Sequence, residues 1–329
     1  MKFSCVYIEE EVVNTQRVQE ILQRLPPTPQ VTIKRYGEVF NRRSQNFRLQ
    51  KQKPALILAK KHGNLVLPAP TGYGFNDNPG FYFSHMLNCV YDCRYCFLQG
   101  MYRSANYVLF TNYEDFATQL QIKTHGQSVN PVFYSGYDCD SMALEPVSHF
   151  AEFFVDWFAD NPAATLELRT KSTQLRSLYN RQPVSNCIIA MSFTPKDIYR
   201  RWESKVPGIE KRLDALKKLQ EQGWPVAIRL EPLIYESDFE NSYDQLLSDI
   251  FEKIDGNRIH SISTGMFRMP KTFFKNISNL YPDELLYARK YEQSHGMIAQ
   301  SSTQEAEMLE SIEDMLCRYV PIKHYYRCA

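Results

Sequence analysis

From Gly80 onward the chain alternates strand-like and helix-like segments, and this alternation constrains the fold more than any other feature. The strand-like runs are 81–86 (FYFSHM), 131–136 (PVFYSG), 165–170 (TLELRT), 186–193 (NCIIAMSF), 225–232 (PVAIRLEP) and 258–265 (RIHSISTG). Helix-period patterns lie between them near 113–122, 146–159, 173–180, 208–222 and 239–254. Two more follow near 282–296 and 303–316. Strands of near-continuous apolar character, each followed by a helix, are parallel βαβ units buried on both faces. The pattern predicts an α/β fold, a partial (β/α)6 TIM-type barrel. In such a fold the chemistry gathers at the C-terminal ends of the strands. The polar residues expected there are His85, Gly136 to Asp140, Thr170 to Lys171, Ser192, Glu231 and Thr264 to Gly265.

Residues 1–75 read as a small N-terminal α/β domain. A strand at 6–8, a helix over 16–25 and strand runs at 31–36 and 55–61 lead to a Pro- and Gly-rich linker at 68–79. Residues 76–275 then form the barrel, and 276–329 supply C-terminal helices and a tail. With 43% hydrophobic and 23% charged residues in 329, the chain can bury a full core and is not disordered. A net charge of +1 argues neither for nor against nucleic acid. No apolar run reaches the ~18 residues of a membrane span. The first residues, MKFSCVYIEEEVV, carry no signal-peptide core, so a cytoplasmic location and no membrane contact are expected.

Eight cysteines are too sparse for a disulfide scaffold. Three of them, Cys89, Cys93 and Cys96, share the loop after the first barrel strand. Soft thiolates select iron–sulfur clusters or zinc. Three on one short loop suit three irons of a [4Fe–4S] cube and leave the fourth iron open. Structural zinc wants four protein ligands. No further Cys or His stands at zinc-like spacing nearby; His85 could serve as a fourth ligand, but it lies four residues upstream on the strand.

The motif CVYDCRYCF resembles that of the radical S-adenosylmethionine (SAM) superfamily. CRYCFLQG is similar to the CHYCYLQ signature of the spore photoproduct lyase family. The segments YDCDSMALEP (137–146), LRTKST (168–173), SFTPKDIYRRWESKVPGIEKRLDAL (192–216), RLEPLIY (229–235) and STGMFRMPKTFF (263–274) resemble others of that family, in the same order. The resemblance implies a radical SAM enzyme. A [4Fe–4S] cluster on Cys89, Cys93 and Cys96 would cleave SAM to a 5′-deoxyadenosyl radical. That radical would repair a thymine-dimer-type DNA lesion by carbon–carbon cleavage. Damaged DNA and an external one-electron donor, such as flavodoxin or ferredoxin, are the implied partners.

The same resemblance assigns residues. Lys171 would pair with the SAM carboxylate and Ser192 would hydrogen-bond SAM. Cys139 stands where the lyases have a SAM-contacting Ser, and Glu231 where they make a backbone contact to the adenosine. Tyr95 would stack near SAM. Their plainer roles are a strand-end lysine, a cap, a core thiol, an inter-strand salt bridge and a packing aromatic. Two positions depart from the family pattern. The lyases return a hydrogen atom from a cysteine on the second-strand loop, and that position here is Tyr137, with Cys139 two residues later. Both are candidates for the role. The tyrosine that follows the third cysteine in the lyases is Phe97, which has no O–H to give. These departures keep a second reading open, the same radical chemistry on an RNA or a peptide. A third is a non-catalytic cluster protein, which the positions of Lys171 and Ser192 oppose.

Charge is uneven along the chain. Between Lys34 and Lys61 there are nine basic residues, Arg42 and Arg43 among them, against the single acid Glu38. Tyr36, Phe40 and Phe47 are interleaved, a pattern suited to phosphates and unpaired bases. Arg268, Lys271 and Lys275 form a second basic cluster after the last strand, where FRMPKTFF would supply a wedge as well. A lesion within a duplex must be flipped out to reach such a barrel.

Overall fold

The computed structural model describes residues 2–70, 72–74 and 78–328. The parallel strands Gly80–Phe83, Val132–Ser135, Thr165–Thr170, Cys187–Ser192, Val226–Leu233 and Ser261–Met266 stand side by side in chain order. This is the expected partial (β/α)6 barrel. Leu67–Pro68 pairs antiparallel at one edge. At the other edge the C-terminal tail adds Tyr325–Arg327 as a further parallel strand.

Successive strand residues face opposite sides. Leu166, Leu168, Ile189, Met191, Ile228 and Leu230 therefore face outward, into one core with Phe154, Phe158, Leu213 and Leu246 of the surrounding helices. Ile188, Ala190 and Ala227 face inward as a small cluster of their own. Glu167, Arg169, Ser192, Arg229, Glu231, Ser261 and Ser263 share that inward parity. The lumen is accordingly polar and closed by ion pairs. Glu167 accepts from Arg229 at 2.7 Å and Arg169 at 3.0 Å. Arg169 reaches Glu231 at 2.6 Å. Burial alone would raise the Glu167 carboxyl, but the Arg229 and Arg169 guanidiniums outweigh it and hold it at about 2.

The N-terminal layer is a second sheet with the order Gln30–Ile33, Val6–Glu9, Leu56–Ala59, Tyr107–Phe110, Met86–Leu87. Its last two strands come from beyond residue 75. The boundary placed between 75 and 76 lies outside the described residues, as does part of the 68–79 linker. The wholly buried Tyr107–Phe110 strand escapes periodicity because it is four residues long.

One expectation at the C-terminal end is corrected. The pattern at 282–296 is not one helix. It is a 3-10 turn at Leu285–Ala288 and a hairpin of Glu292–Ser294 with Met297–Ala299. His295 and Gly296 at its tip both have positive φ, 48° and 77°, the geometry of a two-residue hairpin turn. Of the basic residues after the last strand, Arg268 opens a short strand, Arg268–Pro270, and Lys271 and Lys275 lie on helix Lys271–Leu280. Among the described residues no helix is long and apolar enough to cross a membrane.

Candidate active site

Short-range devices set the cysteine loop. Asn88 sits at φ 68°, a left-handed conformation that Asn tolerates. Its amide donates to the carbonyls of Ser104 and Asn106, both at 2.7 Å. Asp92–Cys93 then pairs antiparallel with Glu203–Ser204. Lys51, from helix Phe47–Gln52 of the N-terminal layer, donates to the carbonyls of Cys89 (3.2 Å) and Tyr91 (3.3 Å). Its ammonium lies 4.0 Å from the Asp92 carboxylate. Beyond Cys96, Gly100 presses on helix Lys271–Leu280. A Cβ at Gly100 would come within 2.4 Å of the Phe273 carbonyl, so only glycine fits without movement.

Cys89, Cys93 and Cys96 line one cavity, with Phe47, Lys51 and Tyr91 in its walls. Burial pushes all three thiols up, Cys89 to about 12. Lys51 opposes this at Cys89 and Cys96, and Lys171 at Cys93 and Cys96. Buried thiols flanked by ammonium groups suit a ligand that binds thiolate and releases the proton. Among the described residues no group of three His, Cys, Asp or Glu converges on a single ion. A cube does not need such convergence, because each thiolate meets a different iron. A tetrahedral zinc site does.

Lys171 continues the inward parity of Thr165–Thr170, and its ammonium stands 3.5 Å from Glu203. Glu203 is a fully buried hub. It accepts from Arg212 at 2.9 Å, from Thr194 at 3.0 Å and from the Tyr95 hydroxyl. Burial acts to raise its carboxyl, but Lys171 and Arg212 prevail and lower it. Arg212 also donates to the Ser192 carbonyl at 2.7 Å. One carboxylate thus ties Lys171, Tyr95 and the Ser192 strand end together beside the cysteines. The Lys171 backbone is held by Asp140, which accepts its N–H at 2.6 Å and the Thr170 hydroxyl at 2.7 Å.

Gly136 makes the turn that lays residues 137–140 across the mouth. Its φ is +89°, and a Cβ there would meet the Ser141 hydroxyl at 2.6 Å. Tyr137 packs on Tyr82 with ring centroids 4.5 Å apart and on Phe97 at 5.8 Å. The two departures from the family pattern therefore touch each other. Cys139 turns the other way. It is buried, 3.9 Å from His85 Nδ1. His85 stacks on Phe150 at 3.6 Å and does not line the cysteine cavity. The Glu231 side chain is committed to Arg169 and Ser263.

The basic residues separate into groups. Arg268, Lys271 and Lys275 are exposed, and Arg268 lies close enough to Tyr137 to lower its hydroxyl pKa against the larger effects of burial and Asp138. The expected wedge is not free. Phe267 is buried, Phe273 packs on Phe97, and Phe274 packs on Tyr287. Arg42 and Arg43 are exposed, but Phe40 and Phe47 beside them are 3% and 4% exposed, so they are core and not base-stacking platforms. Lys51, of the same basic run, is inside the cysteine cavity wall. Sequence reasoning missed Glu203, Arg212 and Lys51 as site residues. Glu203 and Arg212 lie in the family-like segment 192–216, which was the available signal. Nothing in the local charge pattern marks Lys51 as buried.

His85 gives a pH test. Burial is the main cause, with Lys61 adding to it, and its pKa falls to about 3. The unfolded chain takes up a proton near pH ~6.5 and the folded one does not. Stability is therefore full above ~6.5 and declines as pH falls towards 3, by about 2 kcal/mol at pH ~5 from this residue. His85→Gln should flatten the acid limb in urea titrations at the two pH values. An unchanged slope would show that His85 is not the group responsible.

A family profile described as spore photoproduct lyase matches residues 81–321. The spore photoproduct lyase of a Geobacillus strain is 19% identical over 245 residues, 71% of this chain and 72% of that protein. That of Bacillus subtilis is 21% identical over 170 residues, 51% of this chain and 48% of its own length. A mutant spore photoproduct lyase solved with bound AdoMet and dinucleoside spore photoproduct superposes with a TM-score of 0.85. It covers 99% of this chain and 98% of its own, at 15% identity. A second structure, complexed with dinucleoside spore photoproduct, gives 0.85 at 14% identity over the same shares.

Proposed function

The chain belongs to the spore photoproduct lyase family, and from that premise we propose that it is a radical SAM lyase that repairs a spore-photoproduct-type thymine lesion in DNA. The observation that carries this reading is the one cavity lined by Cys89, Cys93 and Cys96, with the Lys171 ammonium, 3.5 Å from Glu203, near enough to oppose the upward push of burial on the Cys93 thiol. When bound, a [4Fe–4S] cluster and SAM supply a 5′-deoxyadenosyl radical that takes a hydrogen atom from the lesion. The residues of the chain then have distinct tasks. The three cysteines hold the cluster. Lys171, fixed by Glu203, offers its ammonium to the SAM carboxylate, and Ser192 lies at the neighbouring strand end. Cys139, Tyr95 and the Glu231 backbone complete the expected SAM surroundings. Glu167, Arg169, Arg229 and Glu231 fill the lumen below, which leaves the mouth to the substrate.

We favour Tyr137, half-buried at that mouth, as the hydrogen-returning residue; Cys139 lies deeper, buried beside His85 and on the side of Cys89. Arg268, Lys271 and Lys275 surround the same rim and would take the lesion's phosphates. An external one-electron donor is required.

The test is anaerobic. The reconstituted protein receives SAM, dithionite and dinucleoside spore photoproduct, and 5′-deoxyadenosine and thymidine are followed by chromatography. Thymidine release supports the proposal. SAM cleavage with an intact lesion removes the substrate and leaves the alternative of RNA or peptide, which the Tyr137–Phe97 departures favour. In Tyr137→Phe, 5′-deoxyadenosine should persist while thymidine release falls about tenfold, roughly 1.4 kcal/mol in barrier. Full release in that variant, and loss in Cys139→Ala, would transfer the role to Cys139.

A further inference from the structure

We propose that the exposed basic face between Arg42 and Lys53 is the docking surface for an acidic one-electron carrier protein that reduces the cluster. This rests on the cluster reading above. Helix Phe47–Gln52 is the outer wall of the cysteine cavity, and Phe47 and Lys51 face inward one turn apart. Of the residues between them, Arg48 and Leu49 face the other way, while the Gln50 side chain turns inward to the Ala105 N–H. Arg48 and Leu49 are exposed, Leu49 by 61%, and Lys53 follows at the helix end. Arg42 and Arg43 are exposed just before the helix. The Arg48 guanidinium stands 5.7 Å from the Tyr281 ring and so carries the patch to the end of the helix that braces Gly100.

Other cations of the same stretch are already committed. Arg35 pairs with Glu9 and Glu11, and Lys60 with Glu11 and Asp115. Arg42, Arg43, Arg48 and Lys53 have no ion-pair partner among the described residues. An exposed Leu on a helix that carries Arg48 and is flanked along the chain by Arg42, Arg43 and Lys53 fits a small, transient interface with an acidic protein, in which charge steers the encounter. Nucleic acid fits less well, because Phe40 and Phe47, the aromatic residues nearest the patch, are buried. The position is also apt. One helix separates the patch from the thiols, whereas the luminal side of the same loop carries Lys171. Electrons then enter from the outer wall and substrate from the lumen. One electron leaves the carrier and one reduces the cluster, with no bond or proton transferred.

The test is stopped-flow reduction of the anaerobically reconstituted full-length protein. The cluster absorbance is followed with either reduced flavodoxin or dithionite as donor. In Arg42→Glu/Arg43→Glu/Arg48→Glu the flavodoxin rate should fall at least tenfold, while the dithionite rate and duplex DNA affinity are unchanged. The wild-type flavodoxin rate should also fall with added salt. An unchanged flavodoxin rate overturns the proposal. So does loss of DNA affinity with the flavodoxin rate retained, which gives the face to nucleic acid. Should charge reversal disturb cluster loading, seen as a slowed dithionite reaction, Leu49→Ser decides by the same ratio of rates. A wild-type protein that takes up no cluster removes the cluster reading, and this proposal with it.

Discussion

Cys93→Ala is expected to abolish cluster retention and, with it, SAM cleavage under dithionite. Cys93 is the most firmly placed of the three cysteines. It is buried, and its backbone is paired to Glu203. Replacing its thiol leaves Cys89 and Cys96 in the cavity, and Cys139 does not line it. Even outer-shell partners of a metal site are worth about 10–100-fold in affinity, so loss of a direct ligand should exceed about 100-fold. Iron per chain after anaerobic reconstitution is the direct readout, with circular dichroism to establish the fold. Cys139→Ala is the contrast and should retain its iron. Wild-type iron content in Cys93→Ala would sink the assignment of the ligands.

The difference between those two cysteines shows what was legible in the chain. The trio is legible because its spacing has a chemical meaning. The barrel is legible because each of its strands is an apolar run longer than chance, followed by a helical period. The strand ends then put Lys171, Ser192 and Glu231 among the polar residues expected at the C-terminal rim, and the register of the strands gives them one inner face. What could not be read is who meets whom. Lys171 and Glu203 are joined through a two-residue strand, too short to leave a pattern. Lys51 reads as one more surface cation, yet folding places it against the carbonyls of Cys89 and Tyr91. The hairpin at 292–299 imitates a helix until the positive φ of His295 and Gly296 is known. Resemblance to a family named the Glu203 segment but not its function, since that depends on a contact and not on a motif.

Glu203→Gln is the second large effect. Glu203 and Arg212 have fully buried side chains, and Lys171 leans on the same carboxylate. Removing one partner of a buried ion pair typically costs about 3–5 kcal/mol, because the other charge is left uncompensated. Against a usual total of roughly 5–15 kcal/mol, that is a large share of stability. Urea unfolding should show a lower midpoint with the same slope. Replacing the pair together, Glu203→Leu with Arg212→Met, should cost less than Glu203→Gln alone, since no buried charge then remains unpaired. The pH dependence has a definite sign. The Glu203 carboxyl is lowered in the folded state, so its contribution is present at neutral pH and is lost as pH falls through that lowered value. The single variant should lack this acid-side loss. A Glu203→Gln protein within about 1 kcal/mol of wild type would show that Lys171 and Arg212 do not depend on this carboxylate. Lys171 would then need another explanation for its position beside the cysteines.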